Sequence, residues 1–354
     1  MRRAILMIAA LAASALSVPV SGQVSGRGYS VPRTPDGQAD LQGFWTNDTV
    51  TPLERPAEFG NKEFLTPEEA AAYAKKRNDQ FLAQPKDNIH YDDAIWQAEN
   101  YSKDVRLRTS LVTDPRDGKL PPLTSEARKR EAARVANRAG TGVSDSAQTR
   151  SLAERCISWG NVGPPMIPPT YYANFQILQS RDTVVIRHEL MHDTRIIYLD
   201  PSTGSGSPRA ESRGDGHAHP PSTIQYLAGH SRGRWEGDTL VVDTTNFTDQ
   251  TNFRGPPATT RQEISHTRSL HVIERFTRTD KNTIHYEFTV EDPATWTRPW
   301  SGEMSIRSME GPIYEYACHE GNYGLANILR AQRIQDAKDA AASTAAAPRK
   351  GSSN

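Results

Sequence analysis

Residues 188–192 read His-Glu-Leu-Met-His and match the HExxH pattern. On an α-helix the two histidines of this pattern lie one turn apart and bind one zinc ion, while the glutamate activates a water molecule. The flanking segments VVI and II are rich in β-branched residues, which favour strands. On a strand the two histidines would stand about 13 Å apart, too far to share one small ion. We therefore expect a strand with alternating polar residues here. A zinc hydrolase built on His188, Glu189 and His192 is the alternative.

Residues 229–233, Gly-His-Ser-Arg-Gly, match the GxSxG pattern of serine hydrolases. That motif requires a strand, a sharp turn and then a helix, which lift the serine above a sheet. Here the motif is followed by RWEGD and another strand-like run, with no helical pattern. We expect a surface turn between strands, and we do not assign Ser231 as a nucleophile.

A third constellation lies at residues 315–322, where an imidazole, carboxylates and an amide stand close together in sequence. A histidine beside a carboxylate can act as an acid or a base near neutral pH. His319 and Glu320 are therefore candidate catalytic residues, and Asn322 is a candidate ligand contact. The structural alternative is that Asn322 caps the last helix and that its two neighbours are ordinary surface residues.

Glu189, His192 and Arg195 form another polar group, on or beside a strand. Charged groups deep in a β-rich domain are costly unless they are paired. We predict that this group meets His319 and Glu320 in one polar pocket. The alternative is that both segments lie separately on the solvated surface.

Aromatic residues could line the mouth of a β-barrel around such a pocket. Tyr172, Trp235 and Trp300 are the candidate ligand-binding aromatics. Aromatic side chains in strands are otherwise part of the core.

The chain has two cysteines, Cys156 and Cys318. An even pair in an exported protein predicts a disulfide bond. A CxxC pattern typical of a redox or zinc site is absent from the sequence, and we expect neither a metal nor another cofactor.

The elements that must position these residues are mainly strands. Thr66, Pro67 and Glu69 carry the signature of a helix start, a second helix is expected from about Thr124, and a third over 323–342. From about residue 170 the sequence turns to strands separated by short turns, among them 175–178, 183–186, 195–199, 239–245, 269–278, 283–291 and 314–316. This pattern predicts a mainly β (α+β) fold, an antiparallel barrel-like or sandwich-like domain with peripheral helices.

The first 22 residues combine Arg2 and Arg3, an apolar run and small residues, which is typical of a cleaved secretory signal peptide. Its removal changes the net charge from zero to −2, so electrostatics offers no argument for binding nucleic acid. No later run is long enough for a transmembrane helix. We expect a periplasmic or secreted protein, organised as a signal peptide (1–22), a flexible lead-in (23–40), one β-rich domain (41–330, helical over 41–150 and strand-rich over 151–330), and a helix end with a disordered tail (331–354).

Residues 231–247, SRGRWEGDTLVVDTTNF, and 315–322, EYACHEGN, resemble signatures of a family of secreted bacterial proteins with uncharacterised activity. Four shorter stretches share the resemblance: 51–56, 108–112, 155–157 and 272–276. It covers most of the chain, from about residue 41 to 330. The resemblance implies export and one coherent domain, and it brings no reaction with it.

The sequence therefore leaves open whether the protein is an enzyme. Our leading hypothesis is a periplasmic small-molecule-binding protein, or a metal-independent lyase or hydrolase that acts on a small apolar or aromatic compound. One alternative is a zinc-dependent hydrolase that uses residues 188–192. Another is a structural envelope protein without a small ligand.

Overall fold

The computed structural model describes most of the chain. The described residues are 29–82, 107–140, 144–159, 163–168, 173–200, 218–254 and 263–346. The predicted signal peptide (1–22) and Tyr172 lie outside them. No helix within the described ranges is long and apolar enough to cross a bilayer.

The described residues form three α-helices and twelve strands. The helices are α1 (Pro67–Leu82), α2 (Ser125–Gly140) and α3 (Tyr323–Ala346). The first six strands are β1 (Gly43–Thr46), β2 (Val112–Asp114), β3 (Asn174–Gln179), β4 (Thr183–His188), β5 (Thr194–Leu199) and β6 (His230–Glu236). The other six are β7 (Thr239–Thr245), β8 (Asn252–Arg254), β9 (Glu263–Ser265), β10 (His271–Asp280), β11 (Thr283–Glu291) and β12 (Trp300–Ser308).

Nine of the strands close into a barrel in the order β1-β3-β4-β5-β6-β7-β10-β11-β12, and β12 pairs back onto β1. β2 pairs with the start of β12, on the same edge that β1 pairs with at the end of that strand, and β8 and β9 form a separate pair. β5 and β6 run parallel, whereas the other pairs among the described strands are antiparallel. The predicted barrel-like β fold with peripheral helices is confirmed.

Alternation along the strands separates the barrel interior from its surface. In β11 the side chains of Ile284, Tyr286, Phe288 and Val290 are buried, while those between them are partly exposed. This is the period of two expected of a strand with one buried face. The interior is so closely packed that a Cβ at Gly302, which pairs with Phe288, would come within 2.4 Å of the Phe288 ring.

The starts of the helices follow their local sequences. The hydroxyl of Thr66 accepts a hydrogen bond from the amide of Glu69, and the carboxylate of Glu69 accepts one from the amide of Thr66. This is the predicted capping box. At α2 the hydroxyl of Thr124 accepts a hydrogen bond from the amide of Ala127, at 3.0 Å.

Two local expectations were wrong. Residues 230–233 belong to β6 rather than to a surface turn, and Ser231 is buried. The small Gly233 admits the side chains of Ile197 and Leu199 from the parallel neighbour β5, so a glycine that looked like a turn residue serves strand packing. Residues 314–316 form no strand, because side chains rather than a neighbouring strand accept their backbone hydrogen bonds.

The segments at the two ends of the described chain also differ from expectation. The described part of the lead-in, 29–40, contacts the barrel, for example through the side chain of Gln38, which donates to the carbonyl of Arg181. Helix α3 continues to Ala346, and the last eight residues of the predicted tail lie outside the described ranges.

Candidate active site

The HExxH segment is neither a helix nor the strand that the sequence predicted. His188 ends β4, and residues 190–192 form a single 3-10 turn that leads into β5. His188 is buried inside the barrel beside the ring of Phe175, with the two ring centroids 5.4 Å apart. Burial, and then the charge of Arg195, lower its pKa to about 3, so this imidazole is neutral.

Glu189 and His192 hold the C-terminal segment against the barrel. The carboxylate of Glu189 accepts hydrogen bonds from the side-chain amide of Asn174, at 2.8 Å, and from the backbone amide of Tyr314, at 2.9 Å. Nε2 of His192 accepts one from the backbone amide of Tyr316, at 2.8 Å. Both predicted catalytic groups are thus occupied by structural hydrogen bonds.

Arg195 points into the barrel, where its partner is Glu274. Two guanidinium nitrogens donate to the two carboxylate oxygens, at 3.0 and 2.5 Å. The hydroxyl of Tyr286 donates to the same carboxylate at 2.7 Å, and Arg195 also donates to Ser231. Because every member is buried, this is an interior ion pair of the core.

His319 and Glu320 are exposed on a turn after the disulfide bond. The bond between Cys156 and Cys318 is confirmed, with Cα atoms 5.7 Å apart. The side-chain amide of Asn322 donates to the carbonyl of Glu154, and its oxygen accepts from the amide of Leu325, so it caps α3.

The polar pocket that the sequence analysis predicted is therefore formed only in part. Backbone amides of 314–316 do reach Glu189 and His192. Within the described residues, however, no hydrogen bond or ion pair joins Arg195 to His319 or Glu320. Arg195 occupies an inward position of β5 and finds its carboxylate across the barrel, on the distant strand β10.

The predicted ligand-binding aromatics serve the core where they are described. Trp300 is buried and makes edge-to-face contacts with Trp296 and Phe288. Trp235 is partly buried against the same core.

A different polar cluster, which the sequence analysis did not select, lies on the outer face of the barrel. It joins three histidines with two carboxylates, all partly exposed: His219, His230, Asp243, His271 and Glu291. We call it the histidine cluster.

Strand register assembles the histidine cluster. His230 in β6 pairs with Thr245 in β7, and His271 in β10 pairs with Glu291 in β11. Asp243, two residues before Thr245, lies on the same outer face because side chains alternate along a strand. Three neighbouring strand pairs thereby bring residues far apart in sequence onto one patch of surface.

His219 comes to this patch from a loop that Asn246 holds in place. Asn246 follows β7 with a left-handed backbone (φ 60°). Its side-chain amide donates to the carbonyls of Pro220, Pro221 and Ile224, at 2.9–3.0 Å. The loop therefore lies over the outer face of the sheet and carries His219 with it.

The five groups form one continuous chain of contacts. Oδ1 of Asp243 lies 3.1 Å from Nε2 of His219 and 3.1 Å from Nε2 of His271. Nδ1 of His271 lies 3.4 Å from a carboxylate oxygen of Glu291. At the other end, Nδ1 of His219 lies 3.2 Å from Nδ1 of His230.

The pKa values of two histidines in the cluster shift in opposite directions. The hydrogen bond to Asp243, opposed by burial and aided by Glu291, raises the pKa of His271. Burial, together with the nearby His219 and Arg232, lowers the pKa of His230. Burial alone would raise the pKa of Asp243, but the hydrogen bonds and charges of the two adjoining histidines bring it below its usual value. His230 is therefore neutral at neutral pH, and His219 lies between it and the ionised carboxylate of Asp243.

Aromatic rings and a cation surround His230. The ring of Tyr198 stacks on it with the centroids 5.7 Å apart and the planes at 18°, and the ring of Tyr226 is 6.0 Å away. Arg232 pairs with Asp243 across β6 and β7. No hydrogen bond or ion pair of its guanidinium group is found within the described ranges.

One group in the described part of the chain has the spacing of metal ligands. It consists of His285, Glu287 and Glu303 on the outer face of β11 and β12. Glu303 already forms an ion pair with Arg108 at 2.5 Å, so a protein cation neutralises part of this group.

The sequence carried only weak signals for the histidine cluster. Its members stretch from residue 219 to residue 291, and the outward-facing positions of the strands looked like an ordinary solvated sheet face. No protein-family model, curated protein or solved structure matches this chain. Function must therefore be argued from the site itself.

Proposed function

We propose that this protein is a metal-independent hydrolase that works outside the cytoplasm, with His230 as its general base. The observation that carries the proposal is the Asp243–His219–His230 chain, which ends in an imidazole nitrogen without a protein partner in the described structure. The disulfide bond and the signal-peptide pattern at the N-terminus support a location outside the cytoplasm.

We assign the protons along the hydrogen-bond chain for the neutral form of His219. In this form the carboxylate of Asp243 accepts the Nε2 proton of His219, so Nδ1 of His219 carries a lone pair. That lone pair accepts the Nδ1 proton of His230, at a nitrogen–nitrogen distance of 3.2 Å. Nε2 of His230 is then left with a lone pair and can accept a proton from water.

The reaction that follows is hydrolysis of an ester. Nε2 of His230 takes a proton from a water molecule as the water oxygen bonds to the carbonyl carbon. His219 and Asp243 stabilise the imidazolium that forms, as an oriented carboxylate does in other acid–base sites. Arg232 stabilises the negative charge on the carbonyl oxygen. The carbon–oxygen bond then breaks, and His230 returns its proton to the leaving alcohol.

A binding protein without catalysis is the second candidate, favoured by the exposed aromatic rings of Tyr198 and Tyr226. The two candidates differ in what happens to a bound ester. Only a hydrolase releases the alcohol, and only then does loss of His230 stop a reaction.

The test uses p-nitrophenyl esters of acetate to decanoate with the mature protein. We expect His230→Ala to lower kcat/KM at least 100-fold, since positioned acid–base groups typically contribute that much or more. His285→Ala is the matched control, because His285 is a partly exposed histidine on the same outer face, outside the histidine cluster.

The pH profile gives a second readout. Because the pKa of His230 is lowered, the wild-type rate should fall to half its plateau at a pH below 6.5, the ordinary midpoint of a histidine. Equal rates for wild type and His230→Ala, or no ester hydrolysis across the series, would contradict the proposal.

A further inference from the structure

An exposed apolar row leads across the barrel surface to the histidine cluster. Leu178 in β3 pairs with Val185 in β4, and Val185 pairs with Ile196 in β5. The parallel register of Ile197 with Ser231 places Ile196 beside His230. We call Leu178, Val185 and Ile196 the apolar row.

The two ends of the apolar row are open to solvent, and Val185 between them is partly buried. The side chain of Leu178 is 44 % exposed and that of Ile196 is 46 % exposed. Single exposed aliphatic residues are normal on protein surfaces, whereas contiguous apolar patches rimmed by polar groups are typical of binding sites. Tyr198, 43 % exposed, stands beside the same end of the row.

A cation lies where the row meets the cluster. Tyr198 pairs with Arg232 across β5 and β6, and Arg232 pairs with Asp243 on the far side. A ligand lying along the row would thus place its terminal group between His230 and Arg232. The complementary terminal group is an ester carbonyl, or the carboxylate left after hydrolysis.

We propose that the substrate is an ester of a medium-chain fatty acid, with its alkyl tail along the apolar row and its acyl carbonyl between His230 and Arg232. The inference rests on the proposed hydrolase function and names its substrate class. The row and His230 lie on four adjacent strands, so they span about 14 Å, which fits a tail of roughly ten carbon atoms.

The first test measures binding of the reaction product by calorimetry. Decanoate, kept below its micelle-forming concentration, should bind the wild-type protein at least tenfold more tightly than butyrate. Ile196→Asn should remove most of this preference. Leu107→Asn is the matched control, because Leu107 is 43 % exposed and lies outside the row.

The second test concerns the acidic head. Arg232→Gln should weaken decanoate binding about tenfold and leave the binding of decanol unchanged. Arg234→Gln is the control on the same strand, since Arg234 is already paired with Glu236 at 2.6 Å.

These measurements separate the two proposals. Chain-length-dependent binding of decanoate without ester hydrolysis by any variant would refute the hydrolase and keep the row as a fatty-acid site. Hydrolysis that needs His230 but shows no preference for decanoate over butyrate would refute the row as the tail site. Sedimentation with phosphatidylglycerol vesicles without binding of monomeric decanoate would also overturn it, in favour of a membrane-docking surface.

Discussion

Single residues inside the barrel are held by charge pairing. Arg195 and Glu274 are nearly inaccessible to water, with side-chain exposures of 4 % and 0 %. A buried ion pair adds little net stability, but removing one partner leaves an uncompensated charge in the core. This pair therefore enforces one arrangement of β5 against β10.

We predict that Glu274→Ala lowers the free energy of unfolding by about 3–5 kcal/mol, because Arg195 stays buried without its carboxylate. Urea unfolding measures the change. The double variant Arg195→Met/Glu274→Leu should recover most of the loss. Glu287→Ala, on the exposed face of β11, should cost about 1 kcal/mol or less. A loss for Glu274→Ala no larger than this control would contradict the prediction.

A second residue-scale effect concerns Asp193, next to His192. Burial raises the pKa of this carboxyl group to about 6, although Ser158 and the backbone of Trp159 act against it. A raised pKa means that the folded state holds the proton more tightly than the unfolded state. The stability that Asp193 contributes is therefore complete below pH 4 and is lost as the pH rises through 6.

We predict that Asp193→Asn stabilises the protein at pH 7.5 by about 1 kcal/mol, since part of the side chain reaches solvent and screens the effect. At pH 4 the variant and the wild type should have the same melting temperature. Thermal unfolding at both pH values measures the difference. A variant less stable than the wild type at pH 7.5 would rule out this account.

Among the elements, the loop that carries His219 is held near that residue by the side chain of Asn246. Asn246 supplies both a left-handed backbone and three hydrogen bonds to the loop. Asparagine adopts a positive φ more readily than most residues, and its amide reaches carbonyls that no strand partner satisfies. The position of His219 over the sheet follows from these contacts.

We predict that Asn246→Gly loosens residues 218–224, whereas the backbone hydrogen bonds of Tyr226 to residues 246 and 248 still hold the end of the loop. Glycine lets the backbone of residue 246 keep its conformation. Hydrogen exchange in this loop should speed up, and ester hydrolysis should fall along with the loss of His219 from its place. Asn246→Ala should be less stable than Asn246→Gly by about 1 kcal/mol, because the Cβ of alanine makes a positive φ sterically unfavourable. Asn282→Ala, in an exposed turn, serves as the control. Unchanged exchange in both Asn246 variants would contradict the anchoring role.

At the scale of the whole molecule, the disulfide bond closes the chain onto itself. It joins residues 162 positions apart and fastens the start of α3 to the segment that precedes the barrel strand β3. The adjoining backbone of 314–316 is bound by Glu189 and His192. One covalent and several polar contacts therefore hold the C-terminal segment on the barrel.

We predict that the Cys156→Ser/Cys318→Ser variant loses up to about 5 kcal/mol of unfolding free energy, the chain-entropy value for so long a loop. Urea unfolding of the variant and of the reduced wild type should give the same loss. Ester hydrolysis at low temperature should be retained, because the histidine cluster lies on other strands. Equal stability of the oxidised wild type and the variant would refute a stabilising role for the bond.

Local patterns in the sequence were enough for much of the secondary structure. The alternation in β11, the capping box at Thr66 and the start of α2 at Thr124 depend on neighbours within a few residues. The pairing of Cys156 with Cys318 followed because the chain has two cysteines. The sequence alone determines these features. The helix starts and the strand alternation depend on interactions between residues close in sequence, and two cysteines allow only one intramolecular pairing.

The site residues required the tertiary structure. The outward alternation that places His230, Asp243 and His271 on one face is visible in the sequence, but the strand order that makes them neighbours is not. The same holds for Arg195, which finds Glu274 79 positions along the chain and not the nearby Glu189. β5 pairs in parallel with β6 across a connection of some thirty residues, and no local preference specifies that choice. Closure of the barrel decided these contacts. The partner of a buried charge or of an outward-facing histidine depends on how strands far apart in sequence are ordered and aligned.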